Sequence, residues 1–414
     1  MSLNSEFKNF FYQDVSYRKV FIDRLIVQLE KYMGVKNLSL MLEKKDIFYF
    51  INLLRQKINV SSIVVKNHWD MIKFLNQCAI KIYYTCSGST GHIFKGIYHD
   101  ETDLIEKKVA IKIVPYMKKT GVKIEKRSEH SEILILRLFS YLVLSGKTPH
   151  IILPIVTFNT SMDTLLTICD QPKTYYEHIS KNQEFLEKEA SVLIYEWADG
   201  SNLMHYICQN YKIMTLKVWS IFLFQIIFTL AKIHKYFPNF RHNDLKANNI
   251  LIRYNRVAPP PEKETFLYYL DDLLFYVPNI GIQLFLWDFD FACIPGLIDN
   301  DKVEAEWTSK VNMHPIKNQY YDLHFFIYNL TNHRGVFKEK YSSLWDCEYV
   351  PCEVKSFLRR IVPKMYESEK YVYKNRIMID IEHSTPLHIL KTDAFFNKMR
   401  PALQKLKTCS DHSI

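Results

Sequence analysis

A short polar segment, RHNDLKANNILI at positions 241–252, constrains this chain more than any other feature. Its spacing, H-x-D-L-K-x-x-N, suits a tight loop in which Asp244, Lys246 and Asn249 point at one place. Transfer of a phosphoryl group uses such a set, because an aspartate orients the attacking hydroxyl, a lysine offsets phosphate charge and an asparagine holds a metal ion. Taken alone, the segment is also compatible with an ordinary polar loop.

Two strand-like segments carry charged residues that suit the same chemistry. LFLWDFDFA at 284–292 is an apolar run that leads to Asp288. A carboxylate in this place suits Mg²⁺, which prefers oxygen ligands and accepts phosphate oxygens beside them. KKVAIKIV at 107–114 is a second such run, and its Lys112 can reach the α- and β-phosphates of a nucleotide. The two segments predict a nucleotide and magnesium site.

A turn-forming segment, CSGSTGHIFKG at 86–96, precedes these strands. It fits the pattern G-x-G-x-x-G-x-V with Cys86 in place of the first glycine, while Gly88 and Gly91 remain and Ile93 fills the apolar position. Glycine lets backbone N–H groups approach a phosphate, because no Cβ intervenes. Four motifs in this order, on fitting element types, favour one phosphotransfer site over four unrelated loops.

The spacing of apolar residues and the positions of turns predict three regions. Residues 1–78 show apolar residues at helical spacing, so we expect an N-terminal helical extension. Residues 79–198 contain short β-type runs broken by turns, and residues 199–414 are mainly helical. The sequence therefore predicts an α+β protein with a β-rich lobe followed by a helical lobe.

The four motifs together resemble those of the eukaryotic-type protein kinases, over roughly residues 80–400. The resemblance implies a bilobal kinase fold, with a small lobe at 79–198 and a large lobe at 199–414. It also implies that Lys112 pairs with a glutamate on the following helix. Glu132 is the preferred partner, and Glu129, one turn earlier, is the competing choice.

The resemblance also names residues around the nucleotide. Ile93 and Ala110 would cover adenine, and YEWA at 195–198 resembles the hinge, in which Glu196 and Ala198 bind adenine through backbone groups. Tyr195 would be the gatekeeper. In QYYDLHFF, Asp322 resembles the buried aspartate that braces the catalytic loop.

Within the kinases, HNDLKANNIL, LWDFDFA and NQYYDLHFFIYNL are most similar to serine/threonine kinases of large cytoplasmic DNA viruses, in particular the poxvirus kinases needed for virion assembly. The resemblance implies ATP and Mg²⁺ as cofactors and a protein substrate with a Ser or Thr acceptor. It implies action in the host cytoplasm and in the virion.

Several positions depart from the kinase pattern. Asn243 replaces the arginine that usually binds an activation-loop phosphate, and no A-P-E motif follows. Asp290 replaces the glycine after Asp288-Phe289, so the backbone there is more restricted and we expect Phe289 to stay in its pocket. The long interval between Asn249 and Asp288 predicts an inserted hairpin or loop.

Two other function classes compete with an active protein kinase. A lipid or small-molecule kinase of the related phosphotransferase group is favoured by Asp290 and disfavoured by Lys246. A pseudokinase scaffold would normally have lost Lys112, Asp244 or Asp288, and all three are present.

Composition adds weaker expectations about partners and location. The formal net charge of +10 favours an anionic partner, such as an acidic protein or a membrane surface, and nucleic acid is not required. The eight cysteines form no C-x-x-C pair, which favours free thiols in a reducing compartment. The N-terminus lacks a signal-peptide pattern, and the apolar stretch at 221–230 is too short to cross a bilayer. We expect a cytoplasmic protein that is not secreted and has no transmembrane segment.

Overall fold

The computed structural model describes residues 4–57, 67–88, 91–100, 103–118, 127–166, 186–254, 265–332, 341–380 and 382–401. Its α-helices are α1 Asn4–Met33, α2 Ile47–Gln56, α3 Met71–Gln77, α4 Ser128–Leu144, α5 Met162–Leu166, α6 Leu203–Asn210, α7 Leu216–Tyr236, α8 Asp301–Glu304, α9 Glu306–Ser309, α10 Tyr321–Asn332, α11 Cys352–Ile361 and α12 Pro386–Thr392. Short 3₁₀ turns lie at Ala247–Asn249, Phe289–Phe291, Leu344–Asp346, Lys364–Glu367 and Ala394–Met399.

The strands fall into one larger sheet and three ribbons. The strands are β1 Lys81–Ser87, β2 His92–Asp100, β3 Asp103–Met117, β4 Pro154–Ser161, β5 Leu186–Glu196, β6 Ile250–Tyr254, β7 Thr265–Leu270, β8 Leu273–Pro278, β9 Ile282–Leu286, β10 Val372–Tyr373 and β11 Arg376–Ile377. The large sheet is antiparallel with the order β1-β2-β3-β5-β4, while β6 pairs with β9, β7 with β8 and β10 with β11. The mixed architecture, with the sheet before the helical region, is the predicted α+β class.

Strand β3 lies at the centre of the sheet, between β2 and β5. Its apolar run is buried because the strand is covered on both faces, as a near-continuous apolar pattern requires. Helix α4 packs behind the sheet, and its residues from Ser128 to Leu136 are all buried. The central strand and this helix therefore form the buried core of the small lobe.

The N-terminal region is helical, as the sequence predicts. Helix α1 packs against α4 and β4 on the small-lobe side and against β7 on the large-lobe side. The segment that follows α1 is also attached, because Leu40 N–H donates to the carbonyl of Ile155 and Leu42 N–H to the hydroxyl of Ser140. The division at 78 and 198 stays a prediction.

Helix α7 is the central helix of the second region. Thr215 caps its first turn by accepting a hydrogen bond from Val218 N–H. The expectation that the apolar stretch at 221–230 is too short to cross a bilayer was wrong about length, because the helix extends to both sides of it. Among the described residues α7 is the one helix long and apolar enough to cross a membrane, but 78% of the apolar window is buried inside the protein. That is weak support for a membrane span, since the core helix of a large lobe has the same length and composition.

A hairpin occupies the interval between the two large-lobe motifs. Strands β7 and β8 pair residue for residue from Thr265–Pro278 to Leu270–Leu273. This is the insertion that the long interval predicts, and in the chain it falls between β6 and β9. The three prolines at 259–261 lie outside the described residues.

Candidate active site

Lys112 is the centre of the site. Its side chain projects from β3, and its Nζ donates to both oxygens of Glu132 on α4, at 2.7 and 2.9 Å, and to Oδ1 of Asp288 at 2.9 Å. The partner of Lys112 is therefore Glu132, the preferred candidate from the sequence, and not Glu129. Lys112 and Glu132 are both buried, whereas the side chain of Asp288 is 28% exposed.

Lys112 forms ion pairs with two carboxylates, and these pairs shift the pKa values of all three groups. Burial tends to lower the pKa of Lys112, but the charges of Asp288 and Glu132 outweigh it and raise that pKa well above its ordinary value. Burial raises the pKa of Glu132 to about 7, against the charge of Lys112. Burial also opposes ionisation of Asp288, yet the charge and hydrogen bond of Lys112 lower its pKa. Asp288 is thus the carboxylate that is held ionised, on the exposed side of the cluster.

A buried aspartate binds the backbone of the catalytic loop. Oδ2 of Asp322, at the start of α10, accepts from His242 N–H at 2.7 Å, and Oδ1 accepts from Asn243 N–H at 2.9 Å. Burial raises the pKa of Asp322 even though both bonds favour its charged form. Asn243 has a φ of 62°, a conformation that asparagine tolerates better than most residues. This bracing is the arrangement that the resemblance implies.

Asp244 has partners on both carboxylate oxygens. Oδ2 accepts from Lys246 Nζ at 2.8 Å and from Asn249 Nδ2 at 3.1 Å, and Asn249 also donates to the carbonyl of Asp244. Oδ1 accepts from a guanidinium N–H of Arg376 on β11 at 2.6 Å, and Arg376 also donates to the carbonyl of Asn243. The predicted loop residues come together, and Arg376 joins them from far along the chain.

Phe289 lies in the inward arrangement that the sequence predicts. Asp288 takes a left-handed backbone conformation, with φ 61° and ψ 65°, and the Phe289 ring is fully buried. Its ring centroid is 5.0 Å from that of His242 and 5.7 Å from that of Phe139 on α4. The ring therefore connects the catalytic loop with the helix that carries Glu132.

Asp290, in the place of the usual glycine, is tied down by an ion pair with Lys302. Asn300 donates from Nδ2 to the carbonyls of Asp290 and Ala292, at 2.9 and 3.0 Å. Both Asp290 and Asn300 are buried. The backbone after Asp288 is thus fixed by side chains that the sequence motifs did not indicate.

The segment after Asp290 also holds the first turn of α4. Oδ1 of Asp301 accepts from Ser128 N–H at 2.9 Å, and the Ser131 hydroxyl donates to the carbonyl of Asp299 at 2.7 Å. A carboxylate at a helix N-terminus satisfies a backbone donor that the helix leaves unpaired. The helix that carries Glu132 is therefore anchored by unmodified side chains of this segment, without a phosphorylated residue.

Gly91, in the glycine-containing segment, lies beside Lys112, because a Cβ at this glycine would be 3.4 Å from Lys112 Cε. Gly88 N–H donates to the carbonyl of Gly91 at 2.8 Å. A Cβ at Gly91 would lie 3.0 Å from Val114 Cγ2 and 3.3 Å from the carbonyl of Ile113, so a larger residue here would push these neighbours by a few tenths of an ångström. Positions 89 and 90 lie outside the described residues.

The predicted adenine contacts line the same side of the sheet. Ile93 on β2 lies opposite Lys112, and Ala110 lies opposite Tyr195. Tyr195 is buried, with its ring centroid 6.1 Å from that of Trp287, and Ala198 is buried as well.

Glu196 has a side-chain contact in addition to the backbone role that the sequence predicts for it in the hinge. Its side chain points back to helix α1, where its carboxylate pairs with Arg18. This partner could not be predicted from the sequence, because α1 carries no kinase motif.

The donor set fits a magnesium ion held jointly with phosphate. Among the described residues, no group of three or more His, Cys, Asp or Glu side chains is arranged to hold a metal ion. Mg²⁺ usually takes one or two protein oxygens beside phosphate and water. The carboxylate of Asp288 and the amide of Asn249 supply such ligands. Two carboxylates share the single charge of Lys112, so a dication bound at Asp288 would be electrostatically favoured there.

A comparison with known families identifies the chain. The sequence model described as "Poxvirus serine/threonine protein kinase" matches residues 127–387, well over half of the chain. The chain belongs to the poxvirus serine/threonine protein kinase family. The match takes in Glu132, the hinge, the catalytic loop and Asp288.

Related proteins support the assignment. The chain is 38% identical to serine/threonine-protein kinase R400 of Acanthamoeba polyphaga mimivirus, over 81% of this chain and 73% of that protein. It is 28% identical to kinase R301 of the same virus, over 53% of this chain and 64% of that protein. A stretch of 92 residues is 37% identical to serine/threonine-protein kinase 2 of vaccinia virus, over 22% of this chain and 18% of that protein.

Family membership shows that the chain is a protein kinase of a viral serine/threonine family, which the sequence resemblance predicts. It favours this class over the lipid or small-molecule kinase. It implies a nucleotide and a protein substrate. The roles of the individual site residues stay predictions, now with a geometry that supports them.

We expect Lys112 and Glu132 to act as one unit. Lys112→Met and Glu132→Gln should each lower the phosphotransfer rate at least about 10-fold, and the double variant should cost little more than either single one. Glu129→Gln is the matched control on the same helix and should cost less than Glu132→Gln. Steady-state rates of the four variants check this. Additive losses, or a larger loss at Glu129, would show that the pair does not work together.

Proposed function

We propose that this protein transfers the γ-phosphoryl group of ATP, with Mg²⁺, to serine or threonine hydroxyls of protein substrates. The observation that carries the proposal is the contact of Lys112 with Asp288 beside the Asp244–Asn249 pair. The two segments are joined because the N–H of Trp287, the residue before Asp288, donates to the carbonyl of Asn249 at 3.2 Å. These are the groups that phosphoryl transfer requires for charge placement and for orientation of the acceptor.

The side chains have distinct roles in this proposal. Lys112, held by Glu132, binds the α- and β-phosphates. Asp288 and Asn249 would hold Mg²⁺, which when bound supplies positive charge against the phosphate oxygens. Adenine lies beside Ile93 and Ala110 and meets the backbone of the hinge. Gly88 and Gly91 allow the turn to approach the phosphates.

Asp244 and Lys246 serve the transfer step itself. The hydroxyl oxygen of the substrate forms a bond to the γ-phosphorus while the bond to the oxygen of the leaving ADP breaks, and the hydroxyl proton passes to Asp244. Lys246 offsets charge on the transferred group. Arg376 fixes the position of Asp244, because its guanidinium binds both that carboxylate and the preceding carbonyl.

We also propose a location and a context. The resemblance to poxvirus assembly kinases supports action in the host cytoplasm and in virion assembly. The net charge of +10 supports an acidic protein or membrane-surface partner. Fractionation of infected cells and purified particles tests this placement, and absence from both would contradict it.

Removal of the metal ligand or the acceptor-orienting group should abolish transfer without unfolding the protein. We expect Asp288→Asn and Asp244→Asn each to lower the rate by ~10² or more, because preorganised charge at the transition state is worth several kcal/mol. Transfer rates are measured beside melting curves. Near wild-type transfer by Asp288→Asn would contradict the proposed mechanism, and so would a normal rate in a folded Asp244→Asn.

Activity should not require phosphorylation of the segment between Asp288 and Asp322. Asn243 replaces the arginine that would bind such a phosphate, and Asp301 already caps α4. Phosphatase-treated enzyme should keep most of its rate, whereas Asp301→Asn should lower it. A large loss after phosphatase treatment that rephosphorylation reverses would contradict this expectation.

A further inference from the structure

Helix α1 places a charged side chain in the interior of the protein. Arg18 is only 1% exposed, although an arginine is rarely buried without partners. The helix lies before residue 127, where the match to the kinase family begins, so the family motifs assign it no role. The partners of Arg18 indicate what it does.

The guanidinium of Arg18 makes four hydrogen bonds. Its Nε donates to Oε2 of Glu196 at 2.9 Å, and one terminal nitrogen donates to Oε1 of the same carboxylate. The terminal nitrogens also donate to the carbonyls of Pro149 and Ile151, each at 2.7 Å. A planar fork with this many donors suits arginine, and a lysine could not reach all of these acceptors at once.

Glu196 belongs to the hinge, where the nucleotide would bind. Its carboxylate also accepts from Leu153 N–H at 2.7 Å, and its own N–H donates to the carbonyl of Leu153. Because Glu196 is buried, loss of Arg18 would leave an unpaired charge in the interior. The pKa of Arg18 is consistent with a strong ion pair, because burial tends to lower this pKa but the charge of Glu196 raises it above the ordinary value.

The acceptors of Arg18 lie where the two lobes meet. Pro149 and Ile151 belong to the connection between α4 and β4, and this connection pairs with β9 because Leu286 N–H donates to the carbonyl of His150 at 2.9 Å. The guanidinium also lies 4.5 Å from the ring centroid of Phe285 on β9. Strand β9 leads directly to Asp288. One side chain thus touches the hinge, the connection between α4 and β4, and the strand that leads to the metal ligand.

A second ion pair attaches the same helix to the large lobe. Asp14, one turn before Arg18, lies 3.6 Å from Arg253 on β6, the strand that follows the catalytic loop. Both side chains are largely buried. Helix α1 is therefore fixed at two adjacent points, one on the hinge and one beside the catalytic loop.

We propose that Arg18 is a positioning residue for nucleotide binding, and that helix α1 sets the hinge backbone in the geometry that receives adenine. The inference rests on the proposed ATP-dependent function. A brace that served stability alone would lower the melting temperature of its variants and leave nucleotide affinity unchanged. A positioning role lowers nucleotide affinity in protein that is still folded.

The test compares two neighbouring charges on one helix, in the full chain. Arg18→Gln removes the buried charge, and Lys19→Gln removes a half-exposed charge whose partner is Asp23. Dissociation constants for ADP with Mg²⁺ are measured by calorimetry, with KM for ATP and kcat from transfer assays. Arg18→Gln should weaken ADP binding and raise KM at least about fivefold with a smaller change in kcat, whereas Lys19→Gln should stay within about twofold of wild type.

Two further variants guard against a failure to fold. Arg18→Lys keeps the charge but not the fork and should still weaken ADP binding, by about threefold or more. The double variant Arg18→Gln, Glu196→Gln leaves no buried charge unpaired, so its loss should be smaller than the sum of the single losses. Wild-type ADP affinity in folded Arg18→Gln or Arg18→Lys would overturn the inference, and so would additive losses in the double variant. Absence of ADP binding by the wild type would instead contradict the proposed function.

Discussion

The contact of the buried Lys112–Glu132 pair with the partly exposed Asp288 is the interaction on which the rest of the site depends. It joins the central strand of the sheet, helix α4 and the strand that enters from the large lobe. A charge in the interior is stable only when it is paired, so the three elements must keep one relative position for the lysine to keep its partners. Neighbouring contacts help to hold that position: Phe289 packs between α4 and His242, and Asp301 caps α4.

The catalytic loop depends in the same way on buried polar contacts. Asp322 accepts both backbone N–H groups at the turn, which lets Asn243 adopt its left-handed conformation. The carboxylate of Asp244 is then held by ion pairs with Lys246 and Arg376. In the usual kinase pattern an arginine before the aspartate links this loop to a phosphate. Here Asn243 donates from Nδ2 to the carbonyl of Phe291, so a neutral contact joins the same two segments.

The sequence predicted the parts of the site whose chemistry lies in local spacing. Asp244, Lys246 and Asn249 lie within one loop, so their pattern could be read directly. Glu132 came from the resemblance to kinases, with Glu129 left open, and the structure decides between them. Arg18, Arg376 and Lys302 could not be found in this way. Each reaches its partner, Glu196, Asp244 or Asp290, from a segment without a motif, and only the tertiary packing brings the charges together. The fold class was predictable from the short β-type runs that precede a mainly helical region. The inserted hairpin was predictable from the long interval between Asn249 and Asp288.

The most direct test of the account is the chemical identity of the acceptor. The protein is incubated with radiolabelled ATP, Mg²⁺ and parallel acceptors: an acidic protein, a basic protein, choline and a phosphoinositide. Phosphoamino-acid analysis then identifies the labelled residue. The account predicts label on serine or threonine of a protein acceptor and none on choline or lipid. Label on a small molecule or lipid alone, or no transfer to any acceptor, would contradict it.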